Sequence, residues 1–269
     1  FYFMIQILAS FIIMMTIILS TMFLKNNFIV IIFIMSLMLK LSIPPAHLWL
    51  PMISKFLPWK ILFFLLTFQK IIPFYLLSLI YLPLYFIYFS IIICSILPPY
   101  IMLNLTNFKL LMTYSSINQS SWMILLIYMK NIVWLKYFLL YTLISLGLFN
   151  LIYLSKMFFS SNYFPSHFKF NTLFSILMFN LSGLPPFSFF YMKWYSLFIF
   201  LKLSNLLIIL MLMMFSSLIM LYIYVNLSIN MFFLTKIKSK LINFNFLYSI
   251  KISLILILTL FFSSIILII

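Results

Sequence analysis

The sequence lacks every acidic residue and every arginine. Its 269 residues contain no Asp, no Glu and no Arg, so the formal charge of +16 comes entirely from lysine. A nucleic-acid-binding protein gathers its positive charge on a water-exposed face, whereas these lysines are scattered singly among apolar segments. This distribution excludes nucleic acid as a partner.

Metal ligands and thiols are almost as scarce. The chain has one cysteine, Cys94, and two histidines, His47 and His167. Without carboxylates, these residues do not suffice for a disulfide framework, a cysteine-held cluster or a metal or haem site. We therefore predict no metal, no bound cofactor and no redox centre. Cys94 lies in an apolar run and is predicted to be a buried bystander rather than a reactive thiol.

Apolar residues dominate what is present. Hydrophobic side chains make up 67% of the chain and charged ones only 6%. Apolar runs of 18 or more residues recur along the whole sequence, and each is long enough to cross roughly 30 Å of hydrocarbon as a helix. The expected fold is an all-α polytopic membrane protein, a single membrane domain over residues 1–269. It has about nine transmembrane helices, at approximately 2–24, 28–54, 61–82, 84–103, 109–129, 134–157, 172–203, 205–229 and 246–269.

Three lysines lie deep within the predicted spans. A cation near mid-membrane costs about 2.5–3.5 kcal/mol on insertion scales, so Lys40, Lys70 and Lys193 each need a reason to be there. Lys251 can snorkel to the interface from its helix start. Burial penalises the charged ammonium, and a lysine in a wet cavity can exchange protons. The alternative is a lysine permanently paired across a subunit interface.

Doubled prolines lie beside two of these lysines. Pro44 and Pro45 follow Lys40, whereas Pro185 and Pro186 precede Lys193. Adjacent prolines remove two backbone donors and break a helix. Broken helices at membrane depth line protein or water-filled cavities and mark ion pathways in transporters, although one Pro-Pro pair alone favours a simple kink.

The spacing of the two pairs adds weight to the functional interpretation. Pro185 follows Pro44 by 141 residues, which is about five helix-and-loop units, and an odd number of helices reverses direction across the membrane. Two inverted repeats of five helices each are therefore expected. His47 follows the first pair and either passes protons or hydrogen-bonds a carbonyl that the prolines have freed.

The segments that carry these features resemble a known family. Residues 40–51, 67–73, 114–122 and 181–194 are similar, in order and spacing, to four blocks of the antiporter-like membrane subunits of respiratory complex I, in particular the subunit 2 group. The resemblance covers essentially the whole chain. It implies that Lys40, Lys70 and Lys193 are proton-relay positions.

The resemblance also implies a setting. It implies a translocase subunit of NADH:ubiquinone oxidoreductase in the mitochondrial inner membrane, surrounded by lipid, sibling antiporter-like subunits and accessory subunits. NAD, FMN, Fe–S clusters and ubiquinone are then used by other subunits. Family members have two more helices upstream, with a membrane-embedded glutamate, so we expect this chain to be incomplete at its N-terminus. Met52 and Gln119 stand where the family has a carboxylate and a histidine-like residue.

Two other functions remain open at this stage. A stand-alone cation/proton antiporter shares the broken-helix logic, but it should carry acidic residues for its cation. A structural membrane spacer would hold its lysines against fixed carboxylates in a dry interior.

Overall fold

The computed structural model describes residues 1–22, 27–80, 83–129, 132–158, 168–185, 187–203 and 207–238. Every regular element within these ranges is a helix, which confirms the all-α prediction. The helices are α1 (Tyr2–Met22), α2 (Asn27–Leu41), α3 (Trp49–Ser54), α4 (Trp59–Leu66), α5 (Phe68–Leu79), α6 (Leu84–Met102), α7 (Phe108–Tyr128), α8 (Val133–Phe158), α9 (Phe168–Ser182), α10 (Ser188–Leu203) and α11 (Leu207–Lys238).

The predicted spans within the described residues correspond to these helices, although α11 continues nine residues past the predicted end at 229 and two helices, α4 and α5, replace the span at 61–82. Those at 28–54 and 172–203 each correspond to an interrupted pair, α2 with α3 and α9 with α10. The prediction for 246–269 lies outside the described residues. Five described segments are long and apolar enough to cross a membrane as helices: Tyr2–Thr21, Trp59–Leu79, Leu84–Met102, Val133–Tyr153 and Leu207–Met231. Their exposed side chains are large and apolar, as on Phe3 and Phe11 of α1, which suits a surface that faces lipid.

The chain folds as two compact units. Unit 1 comprises Phe1–Asn131 with Leu206–Met213, and unit 2 comprises Ile132–Asn205 with Met214–Ile269. In unit 1, α7 packs against α3, α5 and α6, while α2 packs against α1 and α5. Residues Leu110–Ile127 of α7 are buried on every side. A helix that is covered all round is a core helix, so α7 is the centre of this unit.

Unit 2 is built around α8, α9 and α10, which pack against one another. The Asn171 side-chain amide of α9 donates a 3.0 Å hydrogen bond to the Met231 carbonyl of α11. An amide that satisfies a carbonyl of another helix holds the two helices in register in an apolar surrounding.

The two interrupted spans end their first helix in the same way. After α2, Ser42 has a left-handed φ of 55°, and the Ile43 amide bonds the Met38 carbonyl at 3.0 Å. After α9, Gly183 has a φ of 80°, and the Leu184 amide bonds the Phe179 carbonyl at 3.2 Å. Both are Schellman terminations, which satisfy carbonyls that a helix end leaves free.

These terminations occupy equivalent positions in sequence. Gly183 follows Ser42 by the same 141 residues that separate Pro185 from Pro44, and each left-handed residue stands two positions before its first proline. The first break uses serine in a conformation that glycine adopts more readily. The local structure therefore repeats at the spacing that the sequence indicated. Pro186 itself lies outside the described residues.

Candidate functional site

Lys40 lies in the last turn of α2, directly before the first break. Its side chain is half-buried, and its ammonium has no polar partner within the part of the chain that the structure describes. The carbonyl end of a helix carries partial negative charge, so this position favours a cation. The prediction that Lys40 adjoins a broken helix is confirmed, whereas its role as a proton relay stays a prediction.

The Trp49 side chain, which follows the first break, bonds back to the helix that precedes the break. Its indole Nε1 donates a 3.0 Å hydrogen bond to the Leu39 carbonyl, which joins the start of α3 to the end of α2. Pro44 is buried and Pro45 is exposed between them. This bond adds to the backbone hydrogen bonds that hold the chain at the break beside Lys40.

We expect Trp49→Phe to lower the stability of the assembled membrane protein by about 1 kcal/mol, because a net hydrogen bond is worth roughly that amount. The measurement is the midpoint of thermal denaturation. Trp194→Phe is the matched control, since the Trp194 side chain is 56% exposed. Equal midpoints for the two variants would show that the indole bond does not hold the break.

His47 lies at the same break, just before α3. Its imidazole is buried close to the Pro45 carbonyl, but without the geometry of a hydrogen bond, so neither ring nitrogen is satisfied. Buried polar atoms of this kind are normally paired, often with ordered water. The structure thus places His47 near the Pro45 carbonyl but without the hydrogen bond that one of the two interpretations expected, and its role in proton transfer stays a prediction.

A third interruption lies beside Lys70, and the sequence interpretation missed it. Thr67 separates α4 from α5 with φ −115° and ψ −81°, and its hydroxyl donates to the Phe63 carbonyl at 2.8 Å. Lys70 follows in the first turn of α5. Pro73 was the available signal, because a proline inside a helix disrupts the turn that precedes it.

Lys70 is buried in unit 1 and is 3% exposed. Its Nζ donates to the Ser116 Oγ of α7 at 3.2 Å. The Ser116 hydroxyl donates its own proton to the Thr113 carbonyl at 2.7 Å, so towards lysine it acts as an acceptor. The ammonium is therefore held by a neutral oxygen.

The polar side chains of α7 follow one pattern. Ser115, Ser120 and Ser121 also donate their hydroxyl protons to carbonyls three residues earlier in their own helix. This bonding satisfies each hydroxyl inside the helix and leaves its lone pairs as acceptors. The buried helix therefore offers acceptors to cations on neighbouring helices. Ser116 links α7 to α5 through its hydrogen bond with Lys70.

Lys193 lies on α10 in unit 2 and is 7% exposed. Its Nζ donates a 2.8 Å hydrogen bond to the Ser182 carbonyl, the last residue of α9, and lies 5.6 Å from the centre of the Phe189 ring. The free carbonyls and the dipole at a helix C-terminus stabilise a cation. An aromatic face adds to this attraction.

Gly183 makes room for this arrangement. A Cβ at Gly183 would lie 3.2 Å from Cδ and Nζ of Lys193, which is tighter than ordinary van der Waals contact. The same residue must adopt a positive φ to end α9. Glycine therefore suits this position in two ways, because it adopts the positive φ at low cost and because it leaves room for the Lys193 side chain.

Asn180 holds the second break together. Its Oδ1 accepts 3.3 Å hydrogen bonds from the Ser188 hydroxyl and from the Phe189 amide at the start of α10. A side-chain oxygen on these donors caps a helix N-terminus. Because Phe189 and Lys193 lie on this helix, Asn180 positions the residues that surround the ammonium.

Three buried tyrosines lie beyond Phe189. The centre of the Tyr137 ring lies 4.8 Å from the centre of the Phe189 ring, and Tyr141 and Tyr224 both lie near Tyr137. Tyr137 and Tyr141 are one turn apart on α8, whereas Tyr224 comes from α11. The sequence interpretation did not single out this cluster, because its members are 83 to 87 positions apart between α8 and α11.

Together these features define a polytopic membrane protein in which buried lysines lie at interrupted helices. Lys70 and Lys193 are held by neutral oxygens. The chain belongs to the transmembrane family described as NADH:quinone oxidoreductase/Mrp antiporter, whose family model matches residues 2–220.

Curated proteins named NADH-ubiquinone oxidoreductase chain 2 are similar to this chain. The protein from Anopheles gambiae is 35% identical over 204 residues, covering 72% of this chain and 59% of the relative. The protein from Aedes aegypti is 36% identical over 163 residues, covering 58% and 47%. That from Mus musculus is 31% identical over 212 residues, covering 72% and 60%. The chain thus spans roughly half to three-fifths of these relatives.

Two solved structures share the fold. A chain of respiratory complex I from Thermus thermophilus with bound aureothin matches with a TM-score of 0.72 at 19% identity, covering 86% of this chain and 58% of that one. A chain of the Mrp complex from Dietzia sp. DQ12-45-1b matches with a TM-score of 0.74 at 14% identity, covering 83% and 48%. At these identities the likeness shows the antiporter-like fold.

Proposed function

We propose that this chain is a proton-relaying subunit in the membrane arm of NADH:ubiquinone oxidoreductase, with Lys40, Lys70 and Lys193 as the groups that gain and lose the proton. The names of the curated relatives support this assignment. The structural observation that supports it most directly is the environment of Lys193, which we call the Lys193 seat. Its ammonium donates a hydrogen bond to the carbonyl of Ser182, at the end of the first half of a broken helix.

Such a seat suits a group that must change its charge. A lysine fixed to a buried carboxylate keeps its proton, because separating the pair leaves an uncompensated buried charge. Lys70 and Lys193 instead contact a hydroxyl and a carbonyl, which accept from either an ammonium or an amine N–H. Their protonation can therefore follow changes in the surrounding electric field.

In this proposal, the redox reaction that drives proton movement takes place in other subunits. We propose that electron transfer from NADH to ubiquinone, with NAD, FMN and Fe–S clusters, takes place elsewhere in the complex, and that this chain holds no redox centre. Conformational and electrostatic changes then shift the charge of the three lysines in turn. His47, with both ring nitrogens buried and unsatisfied, is a further relay group beside Lys40.

The proposed setting is the mitochondrial inner membrane. Sibling antiporter-like subunits, accessory subunits and lipid cover the apolar outer faces of the helices. Because these 269 residues include no Asp or Glu, carboxylates that act on the lysines come from those neighbours or from chain beyond the given sequence.

A stand-alone cation/proton antiporter is the competing function, and the likeness to the Mrp complex makes it worth stating. Alkali cations need several oxygen ligands, and transporters commonly include carboxylates among them. The lack of acidic residues in this sequence favours protons as the transported species.

The test is proton pumping by the assembled complex in proteoliposomes. We expect Lys70→Met to lower the number of protons moved per NADH, with a fall in pumping rate of roughly tenfold or more, as when a positioned acid–base group is removed. Methionine keeps the length of the side chain and removes the charge.

Lys55→Met is the matched control. Lys55 belongs to the same unit, but its side chain is exposed next to the end of α3. The Lys55→Met complex should move as many protons per NADH as the parent complex. An assembled Lys70→Met complex with an unchanged proton-to-NADH ratio would refute the proposal, and sodium uptake without proton movement would support the antiporter instead.

A further inference from the structure

Asn180 lies at the second break and is fully buried. Its Oδ1 accepts 3.3 Å hydrogen bonds from the Ser188 hydroxyl and the Phe189 amide. Lys193 reaches the same place from α10, since its Nζ lies 2.8 Å from the carbonyl of Ser182 and 5.6 Å from the centre of the Phe189 ring. The neutral side chain of Asn180 and the ammonium of Lys193 therefore lie in one gap, where the end of α9 meets the start of α10.

Capping of α10 does not by itself explain an asparagine at position 180. Aspartate caps a helix N-terminus about as well as asparagine, presents an oxygen at the same reach, and also complements the positive end of the helix dipole. The amide brings one further group, its Nδ2, which is buried without a hydrogen-bond partner among the described residues. A buried donor of this kind lowers stability, and in a native protein it calls for a functional explanation.

The first break is closed without such a side chain. Leu39 stands 141 residues before Asn180 and three residues before the left-handed Ser42. Here the backbone carbonyl of Leu39 accepts the bond from Trp49 that joins the two halves of the span. The asparagine is therefore a feature of the break whose lysine, Lys193, is buried in the gap.

The titratable side chains around Lys193 include no acid, because the sequence has no Asp or Glu. Those that the structure describes on α10 and on the helices packed against it are Lys136, Tyr137, Tyr141, Tyr153, Tyr191 and Tyr195. Tyr224 of α11 lies near Tyr137. Phenols titrate near 10 in water, so these tyrosines are uncharged at neutral pH. A carboxylate at position 180 would be the one anionic side chain among them.

We propose that Asn180 is a positioning residue for proton release from Lys193, because it closes the second break with a side chain that carries no charge. A carboxylate in the gap would favour the ammonium and hold the proton on Lys193. The amide makes the same two bonds to α10 without this charge, and its buried Nδ2 is the consequence of that neutrality. The inference rests on the proposed function, in which Lys193 gains and loses a proton.

The test compares Asn180→Asp with the parent complex in proteoliposomes over a range of pH. Aspartate keeps the oxygen that accepts from Ser188 and Phe189, so the break stays closed while a charge is added. We expect the pH profile of NADH-driven proton pumping to move upward by about 1–3 pH units, which is the effect of an opposite charge close to a titrating group. For each unit, pumping at neutral pH should fall about tenfold, and it should recover at higher pH.

Two variants serve as controls. Asn180→Ser keeps a neutral capping oxygen on a shorter side chain, so its pH profile should stay where the parent has it. Asn171→Asp makes the same change at the other buried asparagine of α9, about 14 Å away along the helix. It should lower the melting temperature, because the Met231 carbonyl loses its donor, without moving the profile. If Asn180 only caps α10, Asn180→Asp will show the parental profile, and that result would overturn the proposal.

A double-mutant cycle with Lys193→Met supplies a measurement that does not depend on transport. In the parent background, Asn180→Asp should change the melting temperature of the purified complex little, because the new carboxylate and the ammonium compensate each other. In the Lys193→Met background the same change buries an uncompensated carboxylate, and the melting temperature should fall much further. Equal losses in the two backgrounds would show that the side chain at position 180 does not act on Lys193.

A second variant covers the case in which Asn180→Asp does not assemble. Ser188 already bonds the Asn180 side chain, so Ser188→Asp places a carboxylate in the same gap from the α10 side. Aspartate is also a favourable residue at the start of a helix. The pH profile and the melting-temperature cycle with Lys193→Met are then measured on this variant, with the same expected shift and the same contradicting result.

The outcomes separate the two proposals. Pumping that is lost in Lys193→Met, with an unshifted profile and equal melting losses for Asn180→Asp, leaves the proposed function standing and removes the role of Asn180. Normal pumping in Lys193→Met together with unequal melting losses refutes the proposed function, while it keeps Asn180 as the residue that controls the charge beside Lys193.

Discussion

Replacement of Lys193 by methionine should give an assembled complex that oxidises NADH but moves fewer protons per NADH. The seat of this lysine is made of a carbonyl, an aromatic ring and the gap above Gly183. Methionine fills the same space without a proton to carry. We expect pumping to fall roughly 10- to 100-fold, which is at or below the lower end of the effect of losing a positioned acid–base group.

The same change also costs some stability. Without Lys193, the Ser182 carbonyl at the end of α9 loses a buried donor, and an unsatisfied buried acceptor costs about 1–3 kcal/mol. Lys193→Arg is the informative companion, because arginine keeps the charge and the donors but does not release a proton at physiological pH. It should keep more of the stability than Lys193→Met, yet pump as poorly.

The measurements are dye-monitored proton uptake into proteoliposomes, NADH oxidation and the melting temperature of the purified complex. A Lys193→Arg complex that pumps normally would show that a fixed charge is enough, and would favour the structural-spacer interpretation over the relay.

Replacement of Gly183 by alanine should impair the same seat through the backbone. A left-handed conformation costs a non-glycine residue about 1–2 kcal/mol. The added Cβ would also lie 3.2 Å from Cδ and Nζ of Lys193, which must then move away from the Ser182 carbonyl. We expect a loss of roughly 1–3 kcal/mol in stability and a fall in pumping of about tenfold.

Two further variants distinguish the effect of the left-handed backbone from the effect of crowding against Lys193. Gly183→Asn tolerates the positive φ better than alanine but keeps the crowding, so stability should recover in part while pumping stays low. Ser42→Gly is the reciprocal change at the equivalent position of the first break. It relieves the left-handed serine and adds entropy to the unfolded chain, so stability should change by less than about 1 kcal/mol. Normal pumping in Gly183→Ala would show that the Lys193 side chain does not depend on this gap.

The breaks show how far local sequence could predict the site. Pro44, Pro45 and Pro185 marked both interruptions in advance, because proline chemistry acts on its own helix. The break at Thr67 was missed, since a single Pro73 six residues later is compatible with a kink as well as with an interruption. The left-handed turn at Ser42 could not be predicted either, because the residue in this conformation is a serine and not a glycine.

The partners of the lysines could not be predicted. Ser116 is 46 positions from Lys70 in sequence, and Asn180 reaches across a break to Ser188. Which residues meet depends on how each helix is rotated about its axis. In α7, where every side is buried, no amphipathic pattern reveals that rotation.

The sequence by itself determined that this is an α-helical membrane protein, that two of its helices break at paired prolines, and which lysines must be explained. Those conclusions follow from composition, run length and proline, which act locally through desolvation and backbone geometry. The tertiary structure alone decided what holds Lys70 and Lys193. It placed Lys193 on the end of α9 and Lys70 beside Ser116 of α7. These contacts join residues distant in sequence, so only the packing of whole helices brings them together.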